Sequence, residues 1–419
     1  MTDRATPSLR LSLAVTLVAG AAFVVVAALV VPWHWLPGQH VVAVPAEQVF
    51  SAAQIDRGEH VSDLLRHAAW GNLLVSLLVA GMLGFTRWGS ALVNRLRGPW
   101  WVKVVLGCLA VSAVGAVASV PLAWRAQRVE LAEGLSHQPW ASWLTDQGTS
   151  LAVTWAFTSV ALLVVVGLAR LAPRTWPLWA AVAAAALAML GSFLYPVVVE
   201  PLFNDFTPMT AGPMRSDIFD LAKTEHVHID DVLVADASRR TTTLNAYVSG
   251  FGSTRRVVVY DTLLSGLPPA ETEMIVAHEL GHAKHDDVLT GTVLGALGSA
   301  VGIGLLGLLL GRRRLLRQVQ ADGLGDPRVV PLLLALTVVG SLLASPVQST
   351  ISRAIEARAD LTALQATKDP DTFIAMQKQL ALRSLSDPTP PAWSQFWFGS
   401  HPTTLQRIGM ARDMNGVLR

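Results

Sequence analysis

Charge is what this 419-residue chain has little of: Asp, Glu, Lys and Arg together make up 15% of it. A soluble domain carries about a quarter, so the composition argues for a multi-pass membrane protein instead. Cysteine is nearly absent. Cys108, the single one, excludes an internal disulfide and a cysteine-rich zinc module. Inside an apolar run it reads as a small buried hydrophobe. A net charge of +2 gives no basis for a nucleic-acid partner. Internal repeats and low-complexity tracts are also missing.

Hydrophobic residues fill the space, at 52% of the chain with a mean hydropathy of +0.45. Seven stretches carry no Asp, Glu, Lys or Arg for at least 19 residues: 11–31, 67–86, 104–124, 147–169, 175–199, 288–311 and 329–352. Each is about long enough to cross a ~30 Å hydrocarbon core. The first starts near the N-terminus, but its 21 residues suit an uncleaved anchor better than a signal peptide. A transporter or receptor with a structural zinc site would carry ionisable groups at midplane. All seven stretches are free of carboxylates and strong bases.

The polar chain is concentrated in 200–287 and 353–419. "VEPLFNDFTPM" reads as a loop, and "MRSDIFDLAKTEH" as a short amphipathic helix. "DVLVAD" and "RRVVVYDTLL" are β-branched strands. Between them "TTTLNAYVSGFGS" runs extended into a glycine-rich turn, as in a hairpin. "LPPAETEMIVAHELGHAKHDD" is a helix opened by two prolines with acids in its first turn. Four regions follow: a five-span membrane region, 1–199; a small α+β unit, 200–287; a two-span hairpin, 288–352; and the remainder of the unit, 353–419. Counting Arg and Lys by membrane side, Arg4 included, gives 13 against 4. The positive-inside rule then puts the N-terminus in the cytoplasm and the polar unit outside.

His278, Glu279 and His282 form H-E-x-x-H. Residues four apart share a helix face, so both imidazoles reach one ion, with Glu279 beside them as general base. Two neutral imidazoles suit zinc, which takes a third protein ligand and a water in a catalytic site. His285 is about 10.5 Å along the helix from His278, too far to join an ion bound at ~2.1 Å. Asp286 and Asp287 either mark the membrane boundary or hydrogen-bond a ligand imidazole. Glu356, with Asp360 one turn on, is the candidate third ligand. Two spans separate it from His282, and an even number of crossings returns the chain to the metal side.

The order "PLFNDFTP", "LNAYVSGFGSTRRVVVYDTLL", "VAHELGHAKHDDV", "SRAIEARAD" and "SHPTTLQRI" resembles the integral-membrane CAAX prenyl protease family, metallopeptidase family 48. The resemblance implies a mainly α membrane protein: seven transmembrane helices enclosing a chamber, closed by a small α+β zincin-like unit. It implies one Zn2+ per chain on His278, His282 and Glu356, with Glu279 as base and His401 stabilising the oxyanion. Asn245 would line the substrate cleft on an edge strand. Arg407 would pair with Asp360 or Glu356 and fix the third ligand. "HPT" stands where the family more often has "HPP". The expected function is zinc-dependent endopeptidase cleavage at the membrane, of membrane-associated or lipidated (CAAX-like) peptides or proteins. The alternative is an HtpX-like protease that removes misfolded membrane proteins, although those relatives typically have fewer spans.

Overall fold

The computed structural model describes residues 9–34, 42–250 and 252–418; Arg4, one of the basic residues counted above, lies outside them. Among the described residues, seven helices are long and apolar enough to cross a membrane: Leu9–Val30, Ala52–Gly84, Trp100–Ala132, Trp140–Leu171, Trp176–Leu202, Asp287–Gly311 and Pro327–Thr367. They are called spans one to seven here. Each matches one charge-free stretch, but most overrun it. Charge ends an apolar run without ending a helix. Span two begins at a capping box, Ser51 with Gln54, well before its charge-free run. Spans two to four have 32 or 33 residues, about 50 Å of helix against a ~30 Å core, so they stand out into water.

Span five loses its α-helical ladder at its end. It becomes a π turn over Tyr195–Val199 and a 3-10 turn over Glu200–Leu202, where Pro196 and Pro201 remove backbone donors. Span seven contains one α-helix without interruption from Val330 to Thr367. The sequence boundary at 353 is therefore a change of surroundings within one helix. That helix stops at Lys368, in left-handed backbone with φ 53°, just before Pro370.

Neighbouring spans form a circuit. Seven packs on two, two on three, three on four, four on five and five on six, with one lying against five and six. Leu294 of span six and Ile351 and Ala354 of span seven join one apolar cluster and close it. This is the seven-helix chamber expected from the sequence. Small residues allow the closest approaches: a Cβ at Gly304 of span six would lie 2.3 Å from Thr16 Oγ1 of span one.

Among its described residues the polar unit holds four strands: β1 (Phe206–Pro208), β2 (Asp231–Ala235), β3 (Ala246–Ser249) and β4 (Arg256–Tyr260), in the order β1-β2-β4-β3. β2 and β4 are parallel; β1 on β2 and β3 on β4 are antiparallel. β1 departs from the loop expected at "VEPLFNDFTPM", because three residues there pair with β2 and too short a run leaves no alternation to read. β3 ends one edge of the sheet. Val257 and Val259 of β4 pack with Ile218, Leu263, Met274, Val276, Leu280, Phe373 and Met376 in one buried core. The helix Pro269–Lys284 thus sits inside the core with the metal motif on it. Pro269 at its first turn and Glu271 beside it favour the helix start.

Candidate active site

The buried helix Pro269–Lys284 and the upper part of span seven cross here, bringing one turn of each together. His278 and His282 project from the first, and Glu356 from the second. The two Nε2 atoms lie 3.2 Å apart. Glu356 Oε2 lies 3.2 Å from His278 Nε2, and Glu356 Oε1 3.6 Å from His282 Nε2. Ligands on a tetrahedral ion bound at ~2.1 Å are separated by about 3.4 Å, so this triangle fits such an ion.

The far side of each imidazole supports that reading. His282 Nδ1 is 2.9 Å from Asp287 Oδ2 and donates to it, leaving a lone pair on Nε2. His278 Nδ1 lies 2.9 Å from Asp360 Oδ1, in ion-pair contact. Glu356 Oε2 is buried without a hydrogen-bond donor. Two imidazole lone pairs and a carboxylate aimed at one point repel one another unless a cation joins them. In the metal-free site a proton serves. Burial opposes it, but the Asp360 and Glu356 carboxylates prevail and push His278 up to about 10.

Asp360 is fully buried. Arg407 holds both of its oxygens, with Nε donating to Oδ2 at 2.8 Å and Nη2 to Oδ1. The sequence reading had Arg407 fixing the third ligand; instead the chain Arg407–Asp360–His278 fixes the first. Asp360 lies one turn beyond Glu356 on the same face, which carries its carboxylate past the ion to the back of His278. Burial raises the Glu279 carboxyl, with His278 and His282 opposing, in the direction a general base at neutral pH needs. His401 Nε2 is 3.3 Å from Glu356 Oε2, and Ser400 Oγ is 2.8 Å from His401 Nδ1. Asn245 is exposed at the head of β3, its carbonyl accepting from Tyr260 N–H at 3.0 Å.

The structure separates the two aspartates after the motif. Asp286 pairs with Arg255, and Asp287 both receives His282 and pairs with Arg358. Of the two readings open for the aspartates, Asp287 takes the imidazole contact, and Arg358 behind it is the neighbour that the sequence did not single out. Their signal is present but faint: an acid five residues after His282 reaches back because Asp286 turns the chain at φ 52°. His285 faces away from the ligands, 3.3 Å from Thr362 Oγ1, as its distance along the helix required.

Comparison with known proteins places the chain in a family. Residues 208–415 match peptidase family M48, and residues 67–205 match the N-terminal region of CAAX prenyl proteases, described as five membrane helices. An uncharacterized metalloprotease of Bacillus subtilis, YhfN, is 31% identical over 299 residues, 71% of this chain and 70% of that protein. The chain belongs to peptidase family M48. This M48 peptidase is a multi-pass membrane metallopeptidase acting on peptide or protein substrates. It is also similar to a CAAX prenyl protease 1 homolog of Oryza sativa, 32% identical over 54% of each chain. The human CAAX prenyl protease 1 homolog is 26% identical over 53% of this chain and 54% of that one. The matched regions thus span about half of the plant and human proteins. In structure, the crystal form of S. mikatae Ste24p matches with TM-score 0.77 over 97% of this chain and all of that one, at 20% identity. That likeness bears on the fold.

Proposed function

We propose that this M48 peptidase is a zinc-dependent endopeptidase that cuts membrane-associated or lipidated, CAAX-like substrates. The observation that carries the chemistry is the convergence of His278, His282 and Glu356 with Glu279 on the same buried helix. His and carboxylate donors in a tetrahedral spacing suit zinc, one ion per chain. Bound there, the ion supplies Lewis acidity that polarises the scissile carbonyl and lowers the pKa of an attacking water towards ~7. Glu279 accepts the proton of that water and returns it to the leaving amine. His401, on the Glu356 side of the cluster, donates Nε2–H to the oxyanion. The free edge of β3 receives the peptide as an added strand, with Asn245 at its head. Asp360, Arg407 and Asp287 hold the two imidazoles.

The lipidated substrate class is supported by the relatives, several of which are named CAAX prenyl proteases, and by a unit mounted on seven spans. We read the chain as a five-span region, 1–199, a metallopeptidase unit split over 200–287 and 353–419, and a hairpin, 288–352, that returns Glu356 to the metal. The charge bias supports a cytoplasmic N-terminus with the unit facing outward. A C-terminal reporter active only in the cytoplasm tests this, and strong activity would overturn it. For the reaction, a farnesylated C-terminal peptide is incubated with purified protein in liposomes. Glu279→Gln is expected to retain the metal and lose turnover by about 10²-fold or more. Undiminished cleavage by that variant removes Glu279 as base. An unprenylated peptide cut equally well removes the lipid requirement.

A further inference from the structure

Residues 388–406 contain no Asp, Glu, Lys or Arg, although they belong to the polar tail. Their contacts show where they go. Asp387 pairs with Arg66 of span two at 2.6 Å, and one turn further into the membrane Trp393 lies against Trp70, ring centres 4.5 Å apart. The chain then comes back along span seven. Ser345 and Ser349 donate to the Trp397 carbonyl at 2.5 and 3.2 Å. Arg353 Nη1 donates to the carbonyls of Gln395 and Gly399 at 3.0 and 2.7 Å, and His401 reaches Glu356. Ser349 and Ser345 precede Glu356 by about 10 and 16 Å of helix, at about 1.5 Å per residue. The short helix Ala392–Phe398 is therefore re-entrant: it lies beside the charge-free parts of both spans. Backbone at that depth needs internal partners, and the two serines and Arg353 provide them.

Its aromatic face is left uncovered: Trp393 and Phe396, three residues apart, are 51% and 52% exposed. Span two shows what lies against it. Trp70 shares a helical stripe with Leu74 and Leu78, which are 57% and 62% exposed, while Asn72 and Ser76 occupy the opposite stripe. An exposed stripe without polar residues suits acyl chains, and Trp393 extends it. We propose that Trp393 and Phe396 form a lipid-contacting surface whose partner is the acyl-chain region of the surrounding bilayer, and that this contact positions His401. The connection is short. Gln395 Nε2 donates to the His401 carbonyl at 2.6 Å, and a Cβ at Gly399 would lie 2.3 Å from the Gln395 amide oxygen, so the helix and His401 move together. The positioning half rests on the oxyanion role read for His401.

The test uses the full chain in phosphatidylcholine liposomes. Phe396→p-benzoyl-phenylalanine is irradiated and lipid adducts are read by mass spectrometry, with Leu74 and Ser76 labelled in the same way as references. Adduct yield at 396 near that at 74 supports the surface; a yield at or below that at 76 overturns it. This readout is independent of catalysis. For the coupling, Phe396→Ser is expected to lower kcat by about three- to tenfold, part of the ~10²-fold carried by an oxyanion donor. Zinc content and KM are expected to stay unchanged, and Phe396→Leu to restore kcat. Unchanged kcat in Phe396→Ser, or a loss that Phe396→Leu does not restore, overturns the positioning role. His401→Ala run alongside separates failure of the coupling from failure of the oxyanion reading itself.

Discussion

Replacing Asp360 by Asn tests the interior of the site with the least change in shape. Asp360 is 0% exposed and both its oxygens are engaged, by Arg407 and by His278. An amide nitrogen there would face the Arg407 N–H donors and leave a nearly buried guanidinium without its hydrogen-bonded carboxylate. Breaking a buried pair on one side costs about 3–5 kcal/mol. The same change removes the carboxylate charge behind His278, and loss of such a partner weakens metal binding about 10- to 100-fold. Two measurements follow: thermal unfolding in detergent with and without zinc, and competition against a chromophoric chelator. Asp360→Asn should lower both stability and affinity. Asp360→Asn with Arg407→Met removes both charges and should recover much of the stability, while affinity stays low because His278 still lacks its partner. Wild-type zinc affinity in Asp360→Asn would falsify the assignment of Asp360 as the group orienting His278.

Asp287→Ala should weaken zinc binding about tenfold or more, by releasing His282 Nδ1 and leaving Arg358 unpaired; chelator competition measures it, and Asp286→Ala, which touches Arg255 instead, should bind normally. Metal uptake by the metal-free protein should be pH-dependent with a definite sign. His278 has its folded pKa raised, so the proton that zinc must displace is held throughout neutral pH. Apparent affinity should therefore rise as pH rises above about 6.5, with proton release visible by calorimetry in buffers of different ionisation heat. The metal-free fold loses the same contribution to stability as pH rises through the raised value. Affinity independent of pH between 6.5 and 8.5 would contradict the charged cluster.

Asp287 and Arg407 show how much of the site was legible. H-E-x-x-H needs one helix, and an i, i+4 pair is fixed by 3.6 residues per turn, so His278, Glu279 and His282 could be read directly. The parity of membrane crossings put Glu356 on the side of the two histidines, and the family resemblance implied its role as third ligand. The inner partners could not be assigned that way. Whether Arg407 meets Glu356 or Asp360 depends on the rotation of span seven against the helix Thr404–Leu418. Which of Asp286 and Asp287 turns back to His282 depends on one left-handed residue.

The sequence alone determined the seven spans, the strands β2, β3 and β4, and the metal-bearing helix, because each leaves a local record: charge-free length, β-branched runs, or helical spacing. Tertiary structure decided how far each helix outruns its apolar stretch, that 206–208 pairs as a strand, and which carboxylate supports which imidazole. It also packed the uncharged segment 388–406, an apparent part of the aqueous tail, against spans two and seven. Those outcomes rest on contacts between residues far apart in the chain, such as Ser62 with Leu385, 323 positions apart, and no local periodicity encodes them.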